Sequence, residues 1–362
     1  MERAQRPIGL AIPICIVLPM RSLTYAGPRR LEWREAPEPR LAGDGEAIVR
    51  HVAVATCDLD AMIVAGASPF PAPFALGHEG VAEVLDVGDG VTTVRPGDRV
   101  LVPFQISCGT CAACAAGRTG NCETVPLGQT YGFGFGEEQT RWGGFLSDAV
   151  NVPFADAMLV RIPDGLAPEI AAGASDNITD AYRAVAPQLA ARPGAPVLVV
   201  GGALSGSIGL YAVAQARALG SPDVLYVDPD PGRRAIAEGY GARTLEEIPD
   251  RLDARFPIAV DANGTREGLA LALGSLDRDG VCTSTAIYFD PATIPPFPLL
   301  PLYVMGATFL TGRIHARRDA PAVLDLLAEG TVDVAPVTTR VVPFDDAAEA
   351  LAESYTKLLF TR

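Results

Sequence analysis

Histidine is scarce in this chain: His51, His78 and His315 are the only three in 362 residues. Any chemistry that needs an imidazole therefore rests on one of them. Lys and Arg form no cluster, and the net charge is −14, so no basic stripe exists to receive nucleic acid. The acidic balance favours solubility and identifies no substrate. No apolar run is long enough to span a bilayer: Ile8 to Pro19 is short and interrupted by Pro13. It follows Arg3 and Arg6, but no small-x-small cleavage site comes after it. Residues 1–19 are expected to be an extension outside the fold, with Met20 to Tyr25 as the first strand. The chain has no internal repeat and no low-complexity linker. Its apolar content of 49% and charged content of 20% describe a globular protein, and its length exceeds one ordinary core, so two domains are expected.

Cysteine is present in an odd number, seven, and four of these crowd into one stretch: Cys108, Cys111, Cys114 and Cys122. Four thiolates in one loop are the ligand set of a closed, tetrahedral structural zinc. An iron–sulfur cluster or paired disulfides use similar short steps. The long return to Cys122 and the absence of a secretory signal favour zinc and a cytoplasmic location.

From Met20 to about Val160 the pattern is β-rich. Glu46 to Val54 alternates loosely, and Arg95 to Arg99 is a turn feeding a strand at Val100–Val102. Near Ile162 strands begin to alternate with helices. Ala167 to Val185 is alanine-rich and mostly helical. Apolar strands are expected at Val197–Val200, Val224–Val227, Ile258–Asp261 and Val281–Ser284, which implies a parallel, doubly wound sheet. Helices around Ala320–Leu327 and Asp346–Ser354 lie in a tail with no new nucleotide motif, which is expected to return to the first domain.

Between the strand Val197–Val200 and a helix running to about Leu219 lies Gly201-Gly202-Ala203-Leu204-Ser205-Gly206-Ser207-Ile208-Gly209. A nucleotide pyrophosphate needs close backbone approach and a helix N-terminus aiming amides at it. Gly202, Gly206, Ser207, Ile208 and Gly209 supply these, and Asp228 follows at about the 20-residue distance expected of a ribose-binding acid. The spacing Gly202-x3-Gly206-x2-Gly209 is longer than G-x-G-x-x-G, so the loop is expected to bulge. Asp228 and Asp230 would repel a ribose 2′-phosphate, which favours NAD over NADP, although Arg233 and Arg234 lie close by.

His78 stands between glycines in Leu76-Gly77-His78-Glu79-Gly80, at the entry to the strand pattern Val81–Leu85. Alone, it reads first as a buried histidine satisfied by backbone. With Cys57 upstream and Asp176 downstream, the chain holds a thiolate, an imidazole and a carboxylate, ligands that zinc accepts in catalytic sites with an open fourth position.

Taken together, Cys57, Gly77-His78-Glu79, the four-cysteine lobe, the glycine loop and Asp228 resemble the zinc-dependent medium-chain alcohol dehydrogenases, over almost all of Met20 to Arg362. The resemblance implies an α/β fold, with a GroES-like β-rich catalytic domain (20–161 and 312–362) around a Rossmann domain (162–311). It implies two zinc ions and a hydride transfer between an alcohol and NAD. Cys57 and His78 would be catalytic zinc ligands, and Glu79 the neighbour that assists ligand exchange. Where many members carry cysteine, this chain has Ala174-Ser175-Asp176-Asn177-Ile178, similar to the subset that uses aspartate, which includes glutathione-independent formaldehyde dehydrogenases. Asp176 is thus the expected third ligand, with a helix N-cap as the other reading. The usual proton-relay hydroxyl is replaced by Leu59, leaving Asp58, Asp60, Thr56 or water. Tyr25, Tyr131, Trp142 and Phe145 are candidates for the pocket wall, although ordinary packing explains any one of them equally. A small-molecule substrate is implied, without nucleic acid or membrane partners, in a homo-oligomer, with a tetramer favoured over a dimer by family habit. The alternatives are a zincless-type quinone or enone reductase of the same superfamily, and a non-catalytic protein that binds zinc and nucleotide.

Overall fold

The computed structural model describes residues 20–134, 141–202 and 205–362. The expected extension 1–19 lies outside the described residues, as do Ala203 and Leu204, where the glycine loop is expected to bulge.

Two sheets dominate. The first is antiparallel apart from one edge, and runs in the order Arg340–Pro343, Leu358–Thr361, Ala47–Ala55, Glu79–Val87, Arg99–Leu101, Val160–Arg161. Burial alternates along the first part of Ala47–Ala55, with Ala47, Val49, His51 and Ala53 buried. The tail comes back to this sheet: Leu358–Thr361 pairs antiparallel with Ala47–Ala55, placing Phe360 opposite Val54. A separate three-stranded sheet contains Arg21–Gly27.

The second sheet is parallel throughout. Its strands, in chain order, are Val197–Val200, Val224–Val227, Arg243–Leu245, Phe256–Asp261, Leu276–Ser284 and Thr308–Leu310. Across the sheet they lie third, second, first, fourth, fifth, sixth. This is the doubly wound order, with a crevice at the end of the first strand where the direction of winding reverses. Val197–Val200 is buried along its whole length, as a central parallel strand covered on both faces must be. The helices Asn177–Ala191 and Ser207–Ala218 contribute Ala181, Ala184, Leu210 and Val213 to the same apolar cluster as Val197 and Val199.

The two lobes share one strand. In Glu79–Val87, Ala82 and Val84 pack into the β-rich core with Leu23 and Phe145, whereas Val81 joins the core of the parallel sheet. The residues at the start of this strand therefore sit at the junction of the two lobes, held from both sides.

The alanine-rich run from Ala167 is not one continuous helix. A short helix, Pro168–Ala171, and a 3₁₀ turn, Ala172–Ser175, end at Asp176, and a new helix starts at Asn177. Asp176 at φ −152, ψ −86 breaks the helical path. In the tail, the helix Ala316–Ala328 is longer than its sequence pattern suggests, and the last helix is only Ala347–Leu351. Among the described residues, no helix is long and apolar enough to cross a membrane.

Candidate active site

The first site residue is placed by a helix cap. Cys57 is the N-cap of the helix Asp58–Ala65. Asp60, three residues on, accepts from the Cys57 backbone N at 2.8 Å, and the Cys57 sulfur accepts from Leu59 N at 3.4 Å. This reciprocal arrangement fixes both the backbone and the sulfur of Cys57. The C-x-x-D spacing that makes it was readable in the sequence.

His78 is placed by a glycine. Gly77 has φ +91, and a Cβ there would meet the Leu146 amide nitrogen at 2.8 Å. Only glycine lets the chain turn into Glu79–Val87 at this point. His78 follows, fully buried, with its ring edge-on to Phe133 at 4.8 Å and 5.6 Å from Phe104. Phe133 in turn lies against Phe70, which meets Phe289. These aromatics wall the site. Of the four aromatics suspected from sequence, Tyr25 pairs with Phe74, Tyr131 donates to the Asn151 carbonyl, Phe145 stacks on His51, and Trp142 donates to Gln129. Tyr25, Tyr131 and Phe145 are core packing, and no local signal distinguished them from the phenylalanines that do line the site.

Asp176 is the third member. It occupies the N-cap position of Asn177–Ala191 but makes no side-chain capping bond. Its carboxylate turns instead to His78, with Oδ2 3.5 Å from Nε2. The donor atoms of Cys57, His78 and Asp176 all lie within 4.8 Å of one another, and all three residues are buried. Asp60 Oδ1 lies 3.5 Å from His78 Nδ1, on the far side of the ring. Neither imidazole nitrogen has a hydrogen-bond partner.

The electrostatics of this cluster fit a cation. Burial pushes the Cys57 thiol well above its ordinary range, and the carboxylates of Asp176, Glu79 and Asp60 push it further. Burial alone would lower His78, but Asp60 and Asp176 outweigh it and raise the imidazole. A buried thiol ringed by carboxylates, with an orphaned imidazole, is an excess of negative donors. A bound divalent metal would invert that balance. Sulfur, nitrogen and oxygen in this combination suit zinc.

One cation is already present. Lys357, from the segment leading into Leu358–Thr361, donates to Glu79 Oε2 at 2.7 Å, and both side chains are buried. Burial pulls Lys357 down, but the Glu79 carboxylate more than offsets it and holds the ammonium above its ordinary range. Sequence reasoning missed Lys357. No nearby motif marks a residue separated from its partner by 278 positions.

The four cysteines Cys108, Cys111, Cys114 and Cys122 form a second group with sulfurs within 4.8 Å of one another, none in a disulfide. Cys111 and Cys122 are 4.0 Å apart through their sulfurs. A tetrahedral zinc with bonds of about 2.3 Å places sulfurs roughly 3.8 Å apart, so the spacing fits. Backbone amides of Thr110, Cys111, Cys114 and Glu123 point at these sulfurs at 3.4 Å. Burial raises Cys108, yet hydrogen bonds led by Thr124 Oγ1 at 3.0 Å bring it down to about 5, whereas burial lifts Cys114 to about 12. Cys108 and Cys114 are thus driven in opposite directions within one cluster.

In the glycine loop, Gly202 has φ +95, and a Cβ would meet the Asp228 carboxylate at 2.6 Å. Gly206, Ser207, Ile208 and Gly209 form the start of Ser207–Ala218. Asp228 is fully buried beside the loop, and both its oxygens are engaged. Oδ2 accepts from Tyr226 Oη at 2.5 Å and Arg233 Nε at 2.8 Å, while Oδ1 accepts from Asp230 N at 2.8 Å and Arg233 Nη2 at 2.9 Å. Arg234 is turned to the carbonyls of Asp228 and Pro229. Of the side chains considered as relay groups, Thr56 Oγ1 accepts from Leu358 N, Asp60 holds Cys57, and Asp58 faces the glycine loop.

Comparison with known proteins agrees with this architecture. The family described as "Alcohol dehydrogenase GroES-like domain" matches residues 43–164. A probable zinc-binding alcohol dehydrogenase of Mycobacterium tuberculosis is 29% identical over 341 residues, which is 92% of this chain and 85% of that one. Geraniol dehydrogenase of Castellaniella defragrans is 32% identical over 357 residues, 90% of this chain and 91% of the relative. Among solved structures, the alcohol dehydrogenase of Thermus sp. ATN1 superposes with a TM-score of 0.82 at 29% identity, covering 94% of this chain and 99% of the other.

Proposed function

The chain belongs to the zinc-dependent alcohol dehydrogenases of the medium-chain dehydrogenase/reductase superfamily, and we propose that Cys57, His78 and Asp176 hold its catalytic zinc. It is an oxidoreductase acting on CH–OH donors, using zinc and a nicotinamide cofactor. The observation that carries the proposal is the buried donor set itself, three atoms of three chemical types within 4.8 Å, on the wall of a phenylalanine-lined site. When bound, the zinc supplies Lewis acidity to a substrate oxygen and the nicotinamide accepts hydride. The protein's part is to orient and to exclude water. Asp60 Oδ1 stands 3.5 Å behind His78 Nδ1, where its negative charge favours the imidazole as a donor, and Glu79, paired with Lys357, stands next to it. Phe104 and Phe133 keep the substrate side apolar. With Leu59 at the usual hydroxyl position, Thr56 engaged by Leu358 N and Asp60 by Cys57 N, water carries the proton out.

The preferred dinucleotide in this proposal is NAD. A 2′-phosphate needs an uncommitted cation, but Arg233 is spent on Asp228, and Arg234 on backbone carbonyls and Glu246. The expected result is a kcat/KM at least about tenfold higher with NAD than with NADP. The decisive assay is nicotinamide reduction by the zinc-replete protein across primary and secondary alcohols, polyols and formaldehyde, with and without chelator. Chelator-sensitive turnover supports the proposal. Turnover of quinones or enones by zinc-free protein would replace it with the zincless reductase reading.

The four-cysteine lobe is assigned a second, structural zinc. Cys111→Ser is expected to lower the zinc content by one ion per chain and to open the stretch around 108–125 to protease. The parallel sheet should stay intact, because no element of it contacts these sulfurs. Unchanged proteolysis with unchanged metal content would remove this assignment. The same reading divides the chain into a catalytic domain (20–161, 312–362) and a dinucleotide domain (162–311), in a cytoplasmic homo-oligomer. Leu299, Leu300, Tyr303 and Val304 form an exposed apolar patch suited to self-association. A single-chain mass by light scattering would end the oligomer part.

A further inference from the structure

The amides that open the helix Ser207–Ala218 already hold an anion supplied by the chain itself. Asp58, the residue after Cys57, extends its carboxylate across the junction of the two lobes. Its Oδ1 accepts from Ser205 Oγ at 2.8 Å, from Ser207 N at 2.9 Å and from Ser207 Oγ at 2.5 Å. Its Oδ2 accepts from Ile208 N at 3.2 Å. Ser207 is fully buried, and Asn177 Nδ2 lies 3.3 Å from its hydroxyl, so the receiving group is braced from a third element. On the other side of the loop, Arg233 donates to the carbonyls of Ser205 and Gly202 while paired with Asp228.

Two backbone amides and two hydroxyls at a helix N-terminus are the donors that a phosphate would use. A carboxylate and a phosphate cannot both occupy them, and their like charges repel at close range. We propose that Asp58 is a built-in competitor for the dinucleotide pyrophosphate. It latches the helix Asp58–Ala65 to the glycine loop in the cofactor-free protein and must be displaced for cofactor to bind, so it weakens cofactor affinity. The inference rests on the reading of this loop as a dinucleotide site. It also places cofactor entry and the Cys57 sulfur on one backbone segment, since releasing Asp58 pulls on the residue that caps the same helix.

The test compares zinc-replete wild-type protein with Asp58→Asn and Asp58→Gly. NADH would be titrated by fluorescence, and ADP and adenosine by calorimetry. Both variants are expected to bind NADH and ADP about tenfold more tightly than wild type, with adenosine unchanged, because only phosphate-bearing ligands compete with the carboxylate. In wild type, ADP should also speed amide hydrogen exchange in residues 58–65 as the latch releases. That readout needs no variant to fold. Unchanged or weaker NADH binding by Asp58→Asn, an equal gain for adenosine, or greater protection of 58–65 with ADP would each overturn the latch. If wild type itself binds neither NADH nor ADP, the dinucleotide reading fails first and takes the latch with it.

Discussion

Asp176→Asn is expected to cost at least about a thousandfold in turnover and to lower the zinc content by one ion per chain, with the fold retained. The magnitude follows from what the carboxylate does and does not do. Asp176 makes no capping bond to the helix Asn177–Ala191, so the substitution removes no cap hydrogen bond from that helix. Its oxygen instead completes the cluster with Cys57 and His78. An asparagine keeps the volume and one carbonyl oxygen, but it removes the negative charge that Asp176 would bring to the metal. His78→Ala should have the same functional effect, but it leaves a cavity beside Phe133 and therefore costs stability too. The asparagine variant is the sharper measurement, since it separates a ligand from a cap. Metal analysis and steady-state rates on one preparation decide it. A variant that keeps both zinc ions and its full rate would return Asp176 to a purely positional role.

How much of this was legible in the sequence depended on how far apart the partners lie. The four cysteines were readable because their spacing places all the sulfurs in one loop without help from the fold. The strands of the parallel sheet were readable because central parallel strands are continuous apolar runs, as Val197–Val200 is. The break at Asp176 was legible only as the N-cap alternative, not as an interruption of the alanine-rich run. Alanine on both sides favours helix, and only the need to bring the carboxylate to His78 interrupts it. Asp58 and Lys357 were harder still. Nothing local tells that Asp58 reaches residues 205 to 208, or that Lys357 meets Glu79, because the first contact crosses between lobes and the second is made when the tail closes back onto the β-rich lobe. The wall phenylalanines fell in the same class. Burial patterns find aromatic residues, but only packing decides which of them face a site.

The buried pair is where the second large effect is expected. Lys357→Met should destabilise the protein by about 3–5 kcal/mol, the usual result of removing one partner from a desolvated ion pair. Lys357 is 1% exposed and Glu79 is 0% exposed, so water cannot replace the lost ammonium. Glu79 Oε1 has no partner of its own, which leaves the whole carboxylate dependent on Lys357. The methionine keeps the length of the stem but loses the ammonium that sits 5.4 Å over the Tyr211 ring, so the loss reports charge more than volume. The double variant Glu79→Gln, Lys357→Met is expected to recover part of the loss, because it no longer buries an isolated charge. Chemical denaturation, followed by a probe of the β-rich lobe, would measure both. The size of the effect should also depend on metal. In zinc-loaded protein, a positive ion held by Cys57, His78 and Asp176 would offset part of the Glu79 charge, which already acts on the Cys57 thiol, so Lys357→Met should cost less there than in stripped protein. Equal losses in both states would mean that Glu79 does not sense the metal at all, and its part in ligand exchange would have to be given up.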